Sequence, residues 1–291
     1  MSTDSGRRKP FRFAAALSRL DLSRSVGGVS LAGAAWTAAL VVLFTYLLLP
    51  VVFAVLISFN PSDLYAFPPE SITLKWYGEV FARGTWVDSF VLSFQYSVLA
   101  TLVAVGLSSA AAYAIARFDF RFRNLLDAST FLPLMIPQII LGLALLLVLQ
   151  EFSLNNSLAG LSLALAVYAT PFAVRSILAA MQNFDRSVEE AAYNLGADEI
   201  QTFLRVTFPM LLPGLLTAAI FSFVVTYSNL QIAIFLSGAG MTPIPVRIFA
   251  QMQFGGSPII AAVATINIAI VLAAVVVIER LFGAAEALGY T

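Results

Sequence analysis

The chain has no cysteine and no histidine. Those two absences rule out disulfides, thiol nucleophiles, histidine triads, histidine-ligated haem and the usual zinc sites, leaving only carboxylates and hydroxyls for any catalysis. Charge is scarce as well. Only 11% of residues are Asp, Glu, Lys or Arg, and the 16 basic and 16 acidic side chains cancel, so net charge gives no reason to expect nucleic acid. Lysine is scarcer still: Lys9 and Lys75 are the only two, and they follow Arg8 and Leu74. A phosphate-binding loop needs Gly-Lys followed by Ser or Thr. ATP hydrolysis by this chain alone is therefore excluded.

What is abundant is apolar. The 291 residues are 60% hydrophobic with a mean hydropathy of +0.90, more than one soluble core can hide, so an all-α membrane protein is expected. Six stretches approach the roughly 20 residues needed to cross a hydrocarbon core: Leu31 to Phe59, Phe90 to Ile115, Leu126 to Leu149, Leu158 to Val174, Gly214 to Leu236 and Ile259 to Ile278. The third holds Pro133 and Pro137, which predicts a packed, bent helix. The fourth, "LAGLSLALAVYATPFAV", is short and broken by Pro171, a kink tolerated only where neighbouring helices satisfy the freed backbone groups. The organisation that follows is an N-terminal tail over 1–28, a six-helix region over 29–281 and a C-terminal tail over 282–291.

Orientation comes from the positive residues. With the N-terminus cytoplasmic, thirteen lie inside (Arg117, Arg121, Arg123, Arg175, Arg186, Arg205 and Arg280 among them) and three outside, Lys75, Arg83 and Arg247. That bias places both termini and the loop from Arg175 to Leu212 on the cytoplasmic side of a cell membrane. The stretch "RRKPFRFAAALSRL" starts like a secretory leader, but Arg19 interrupts its apolar run, and a retained basic tail is expected. Within the six spans no Asp, Glu, Lys or Arg lies well away from an end. Ion-coupled carriers bury such groups as relays, so a free-standing secondary transporter of a small organic solute stays as the alternative, disfavoured also by the lack of a visible inverted repeat. An intramembrane enzyme would need paired acids or a Ser-Lys pair in the spans, and none is there. No residue set suggests a metal or cofactor held by this chain.

One charged stretch interrupts the middle of the chain. "SVEEAAYNL", Ser187 to Leu195, reads as a helix with an N-cap serine and two acids, Glu189 and Glu190, in its first turn, where they oppose the helix dipole. Gly196 breaks it. A second helix, "ADEIQTFLRVTF", is expected to end at Pro209, with Pro213 and Gly214 opening the fifth span.

These residues carry a family resemblance. Glu190-Ala191-Ala192, then Gly196, then Val206-Thr207-Phe208-Pro209 resembles the EAA loop of bacterial ABC importer permeases, with Val206 and Phe208 in place of the usual Ile and Leu. The resemblance implies a type I ABC importer permease fold, six transmembrane helices with a cytoplasmic coupling-helix elbow at 187–213. Glu189, Glu190, Ala191, Ala192, Gly196, Ala197 and Pro209 would then form the contact with a separate ATPase subunit, which binds the ATP and Mg. "SFNPSDLYAFPPESITLKWYGEVF" and "LSGAGMTPIPVRIFAQMQFGGSPIIAAVATI" are similar to the spermidine/putrescine-type branch, specifically its second permease subunit. That branch implies a sister permease, a pair of ATPase subunits and an extracytoplasmic solute-binding protein as partners. Trp76, Tyr77 and Trp86 would anchor a short outer helix at the interface, either as a docking surface or as a plain aromatic belt.

Permeases of that branch tend to carry paired acids in the fifth span, and here the stretch reads "TYSNLQ". A polycation in a low-dielectric passage needs carboxylate counter-charge. The neutral lining expected instead, Gln138, Tyr227, Ser228, Asn229 and Gln231, suits a zwitterion, a neutral polar solute or a modified amine (polyamine-like, or opine- or amino-acid-like), although each of these side chains taken singly reads more readily as interhelical glue.

Overall fold

The computed structural model describes residues 25–26, 29–62, 68, 71–182, 185–238, 240–253, 255 and 257–287. The basic N-terminal tail expected over 1–28 therefore lies almost wholly outside the described residues, as does the end of the C-terminal tail. The chain divides into two units, Met1–Ala54 and Val55–Thr291. In the first, Ser25–Val26 (β1) pairs antiparallel with Val29–Ser30 (β2), and helix α1 begins at Leu31 and runs to Ile57. The α1 span is apolar on every side, with a hydropathy of 2.9, as befits a helix whose solvent is lipid.

The second unit is built on α3 (Gly84–Arg117), α7 (Leu158–Gln182) and α10 (Phe208–Tyr227). Small side chains let them approach. Ala100, Ala104, Ser108 and Ala112, four residues apart on α3, are all fully buried, and a Cβ on Gly214 of α10 would come within 2.3 Å of the Ala180 Cβ of α7. Lipid is as apolar as a leucine, so such contacts are held by close packing and not by exclusion of water. Helix α7 is central: 56% of its most apolar window is buried, against 33% for α3 and 28% for α13 (Pro258–Ala287).

Among the described residues, five helices are long and apolar enough to cross a membrane. The third expected span, Leu126 to Leu149, is not one helix: it falls into α4 (Arg123–Ser129), α5 (Leu132–Met135) and α6 (Gln138–Glu151). Pro133 occupies the first turn of α5 and Pro137 the N-cap of α6. Ile136 is forced extended at φ −91° and ψ 130°, as the residue before a proline prefers. The fourth span corrects in the other direction. Pro171 lies inside a single helix that runs beyond Val174 to Gln182, because a proline flanked by packed helices costs less than one facing lipid. Arg175 thereby falls inside a helix. The fifth span, expected to reach Leu236, ends at Tyr227, and Ala233–Leu236 forms a separate short helix, α11.

On the side away from the elbow, α2 (Lys75–Ala82) and α12 (Ile244–Gln253) pack over the start of α13. Trp76 and Trp86, expected at an interface, are instead buried in this cap at 4% exposure each. The Trp76 indole N–H donates to the Asn60 carbonyl at 2.7 Å. Ser89 donates to the Thr242 carbonyl and Ser93 accepts from the Ile244 N–H, at 2.6 and 2.8 Å, so the cap is tied to α3 by hydrogen bonds a sequence pattern does not display.

Candidate functional site

The elbow forms as two short helices around a glycine, but its joints differ from expectation. Helix α8 covers Ser187–Asn194, and its N-cap is Arg186 in place of Ser187. The Asp185 carboxylate accepts the Ser187 N–H at 2.9 Å, and that bond holds the Asp185 carboxyl below its usual range. Gly196 has φ +90°, a region an L side chain rarely enters. Asp198 then caps α9 (Glu199–Thr202) by accepting the Gln201 N–H at 2.7 Å, as an aspartate at an N-cap does. The second helix does not end at Pro209. A π-helical turn over Phe203–Thr207 leads straight into α10. Such a turn widens the backbone directly before a residue that cannot donate. The elbow is thus continuous with a membrane helix.

Glu189 is the bolt. At 15% side-chain exposure it meets Arg117, at 11%, with 2.8 Å between nitrogen and oxygen, and it accepts the Thr207 hydroxyl at 2.6 Å. One carboxylate therefore joins the end of α3, the first turn of α8 and the π-turn. Around it, Tyr113 packs edge-on against Phe118 and Phe203. The other EAA-type residues face outward or lie at the rim: Glu190, Ala191 and Gly196 are exposed, and Ala192, Ala197 and Pro209 are half-buried. Leu195, Ile200 and Leu204 stand 90%, 71% and 59% exposed beside them. Neither Arg117 nor Thr207 was singled out in the sequence. Arg117 reads there only as one of several helix-end arginines.

At the opposite end of α10 lies a cavity of about 390 Å³ lined by Gln138, Tyr168, Val225, Ser228, Asn229, Leu230 and Gln231. Four of the five expected pathway residues, Gln138, Ser228, Asn229 and Gln231, meet there. Tyr227 does not: it is fully buried on the other side of the helix end, stacked on Phe223 with centroids 5.5 Å apart, its carbonyl accepting the Tyr96 hydroxyl. A hundred-degree step per residue separates neighbours on a helix, and the chain leaves helical geometry at Ser228. Gln138 donates to the Tyr168 hydroxyl and accepts from the Asn229 amide at 3.2 Å, while the Asn229 Oδ1 accepts the Ile232 N–H at 2.9 Å. Tyr168 was not anticipated, since nothing in "AVYATPF" distinguishes it from the core tyrosine Tyr96. Gly142 lets α6 lie against this loop, where a Cβ would meet Phe235 Cδ2 at 2.9 Å and the Ile232 Cα at 3.1 Å. Every polar group lining the cavity is neutral. Among the described residues no three acidic side chains cluster as a metal site would need.

Residues 103–285 match the family described as binding-protein-dependent transport system inner membrane component. The chain is 31% identical over 230 residues to the putrescine transport system permease protein PotI of Escherichia coli, covering 77% of this chain and 82% of that one. It is 28% identical over 235 residues to the spermidine/putrescine transport system permease protein PotC of Haemophilus influenzae, covering 81% and 91%. The trehalose transport system permease protein SugB of Mycobacterium tuberculosis is 30% identical over 195 residues, 66% and 71% of the two chains. The fold resembles the crystal structure of a bacterial ABC transporter involved in the import of the acidic polysaccharide alginate, with a TM-score of 0.65, 18% identity and coverage of 86% and 96%. With the matched region covering the elbow, the cavity, the second half of α3 and the helices α7, α10 and nearly all of α13, the chain belongs to the binding-protein-dependent transport system inner membrane component family, as a permease subunit of an ABC importer.

Proposed function

We propose that this chain forms half of the passage for a small polar solute and is driven through its elbow by a separate ATPase subunit that carries the ATP and Mg. A sister permease would complete the passage, a second ATPase subunit the motor, and an extracytoplasmic binding protein would deliver the solute. The observation that carries this reading is the construction of the elbow. Its exposed side presents Glu190 and the apolar Leu195, Ile200 and Leu204, an exposed apolar patch of the kind that meets a protein partner, while Glu189 fastens it to α3. The arginine distribution supports a cytoplasmic elbow and cytoplasmic termini. The test is to reconstitute the complex and measure uptake together with solute-stimulated ATP hydrolysis in Glu190→Lys. Loss of both supports the reading, and normal uptake overturns it. For orientation, a cysteine at Ser71, exposed on the loop before α2, is expected to react with an impermeant thiol reagent from outside, and one at Ser187 is not.

The solute class is proposed from the cavity. PotI and PotC are named for polyamines and SugB for trehalose, so relatives of comparable similarity differ in solute charge. The neutral amides and hydroxyls of Gln138, Tyr168, Ser228, Asn229 and Gln231 favour a neutral or zwitterionic solute over a polycation, whose ammonium groups would be desolvated with no counter-charge. Competition uptake with labelled spermidine against neutral and zwitterionic solutes tests this. Spermidine as the preferred solute overturns it.

A further inference from the structure

On the elbow side of the second unit, α3, α4 and α7 enclose a polar cavity of about 510 Å³ that the transport reading does not use. Its polar lining is Arg123, Asn124, Asp127, Arg175, Gln182 and Arg186, over a floor that includes Ile115, Leu178 and Met181. Three guanidinium groups face one carboxylate. We propose that this cavity binds the phosphate of an anionic phospholipid headgroup.

The arginines are held in place without being used up. Arg123 Nε donates to the Ile115 carbonyl at 2.8 Å and Arg186 to the Ala116 carbonyl at 3.0 Å. Both carbonyls belong to the last turn of α3, where helical partners run out and the dipole is negative. Arg123 also pairs with Asp119 at 2.9 Å, and Arg175 pairs with Asp127 at 2.8 Å. A guanidinium has five N–H donors in a planar fork, so each arginine keeps donors for an oxyanion after these bonds, and phosphate suits that fork. The lining keeps an excess of positive charge, which opposes a zwitterionic headgroup carrying its own ammonium.

A second observation points to a lipid and not to a free anion. The Arg175 guanidinium lies over the Phe131 ring, 3.7 Å from its centroid. Phe131 belongs to an exposed apolar run with Phe122, Leu125, Leu132 and Met135, the last 77% exposed. Polar cavity and apolar run thus meet at one side-chain pair, with the head and tail arrangement of an amphiphile. Basic pockets between membrane helices on the cytoplasmic side are suited to anionic headgroups, and 510 Å³ is in the size range of small-molecule pockets.

The experiment uses the full-length chain in detergent and in nanodiscs of phosphatidylglycerol or phosphatidylcholine, with retained lipid read by native mass spectrometry and thermal stability measured alongside. Phosphatidylglycerol is expected to be retained and to raise the Tm, and phosphatidylcholine to do neither. Arg186→Gln, at an exposed residue whose side chain makes one hydrogen bond, to the Ala116 carbonyl, is expected to weaken retention about fivefold. Gln182→Glu, which disturbs no arginine bond, adds a carboxylate to the lining and is expected to weaken it similarly. Equal retention of both lipids, or unchanged retention in both variants, overturns the proposal. A Tm rise reproduced by inorganic phosphate or glycerol phosphate in detergent would make the ligand a free anion and overturn the lipid assignment.

Discussion

At its Phe208 end, α10 runs without interruption into an elbow held by charge: Glu189 bonded to Arg117 and Thr207, with Arg123 and Arg175 paired to Asp119 and Asp127 nearby. At its Tyr227 end, the same helix stops at a cavity held by neutral hydrogen bonds through Tyr168, Gln138 and Asn229. An ion pair shielded from water is strong and fixed in geometry, and breaking one partner leaves an expensive uncompensated charge. Amide and hydroxyl bonds are weaker and exchange readily with those of a solute. The contrast teaches that rigidity and adaptability are separated along one helix. The end that would receive a push is locked to its neighbours, and the end that would meet a solute keeps polar groups that can change partners.

The largest effect is expected where the comparison is broken at its stiff end. Gly196→Val keeps open space around the new side chain, since nothing lies within 4 Å of an added Cβ, but φ +90° is costly for a valine, by about 1–3 kcal/mol. The backbone relaxes, α8 loses its direction, and uptake is expected to vanish while the protein still inserts. Uptake and ATP hydrolysis in proteoliposomes, with membrane content checked by blotting, measure this.

Next comes the bolt itself. Arg117→Ala leaves Glu189, at 15% exposure, with the Thr207 hydroxyl but no cation, and is expected to destabilise by about 2–3 kcal/mol, somewhat under the fully buried range. A thermal-unfolding cycle with Glu189→Ala should show strong coupling, the double variant losing much less than the sum of the singles.

At the adaptable end, Gly142→Val would drive α6 off the loop at Ile232 and Phe235, an overpacking cost of about 1–3 kcal/mol. Separation of Gln138 from Asn229 is expected to raise the KM for uptake more than it lowers the maximal rate. The reverse pattern would show that the cavity belongs to the stiff machinery and not to solute contact.

The smallest effect sharpens the electrostatic side of the comparison. Ser228 is exposed at the cavity, its hydroxyl bonded only to the Val224 carbonyl, so Ser228→Asp adds one carboxylate without cutting the Gln138 to Asn229 link. Competition by spermidine is expected to improve about two- to fivefold, the scale of a solvent-screened ion pair. No change would place Ser228 away from the solute.

The membrane class, the positions of most spans and the elbow were legible in the sequence because each is a local property. Hydropathy over about 20 residues, a glycine between two helical segments and acids in a first turn need no knowledge of distant contacts. The errors cluster at prolines. Pro133 and Pro137 divide a stretch read as one helix, whereas Pro171 and Pro209 lie in helices read as broken there. A proline removes one donor and crowds one carbonyl wherever it occurs, and whether the helix survives depends on what packs around it. Gln138, Ser228, Asn229 and Gln231, which line the cavity, are conspicuous in the sequence because they are polar groups in apolar stretches. Tyr168 at the cavity and Tyr227 in the core are not told apart there, because a tyrosine reads the same in either place.

Read alone, the sequence makes this chain a helical membrane protein and marks residues 187–213 by their resemblance to the elbow of the permease family. Composition and short-range spacing suffice for those conclusions. That Glu189 joins three elements, that Gln138, Tyr168 and Asn229 form one network, and that Arg123, Arg175 and Arg186 share a cavity all come from the way the helices pack. Glu189 and Arg117 are 72 residues apart, and Asn229 and Gln138 are 91 apart. Partners at that separation are selected by the packing of small side chains along α3, α7 and α10, a property of how the helices meet and of no single stretch of the chain.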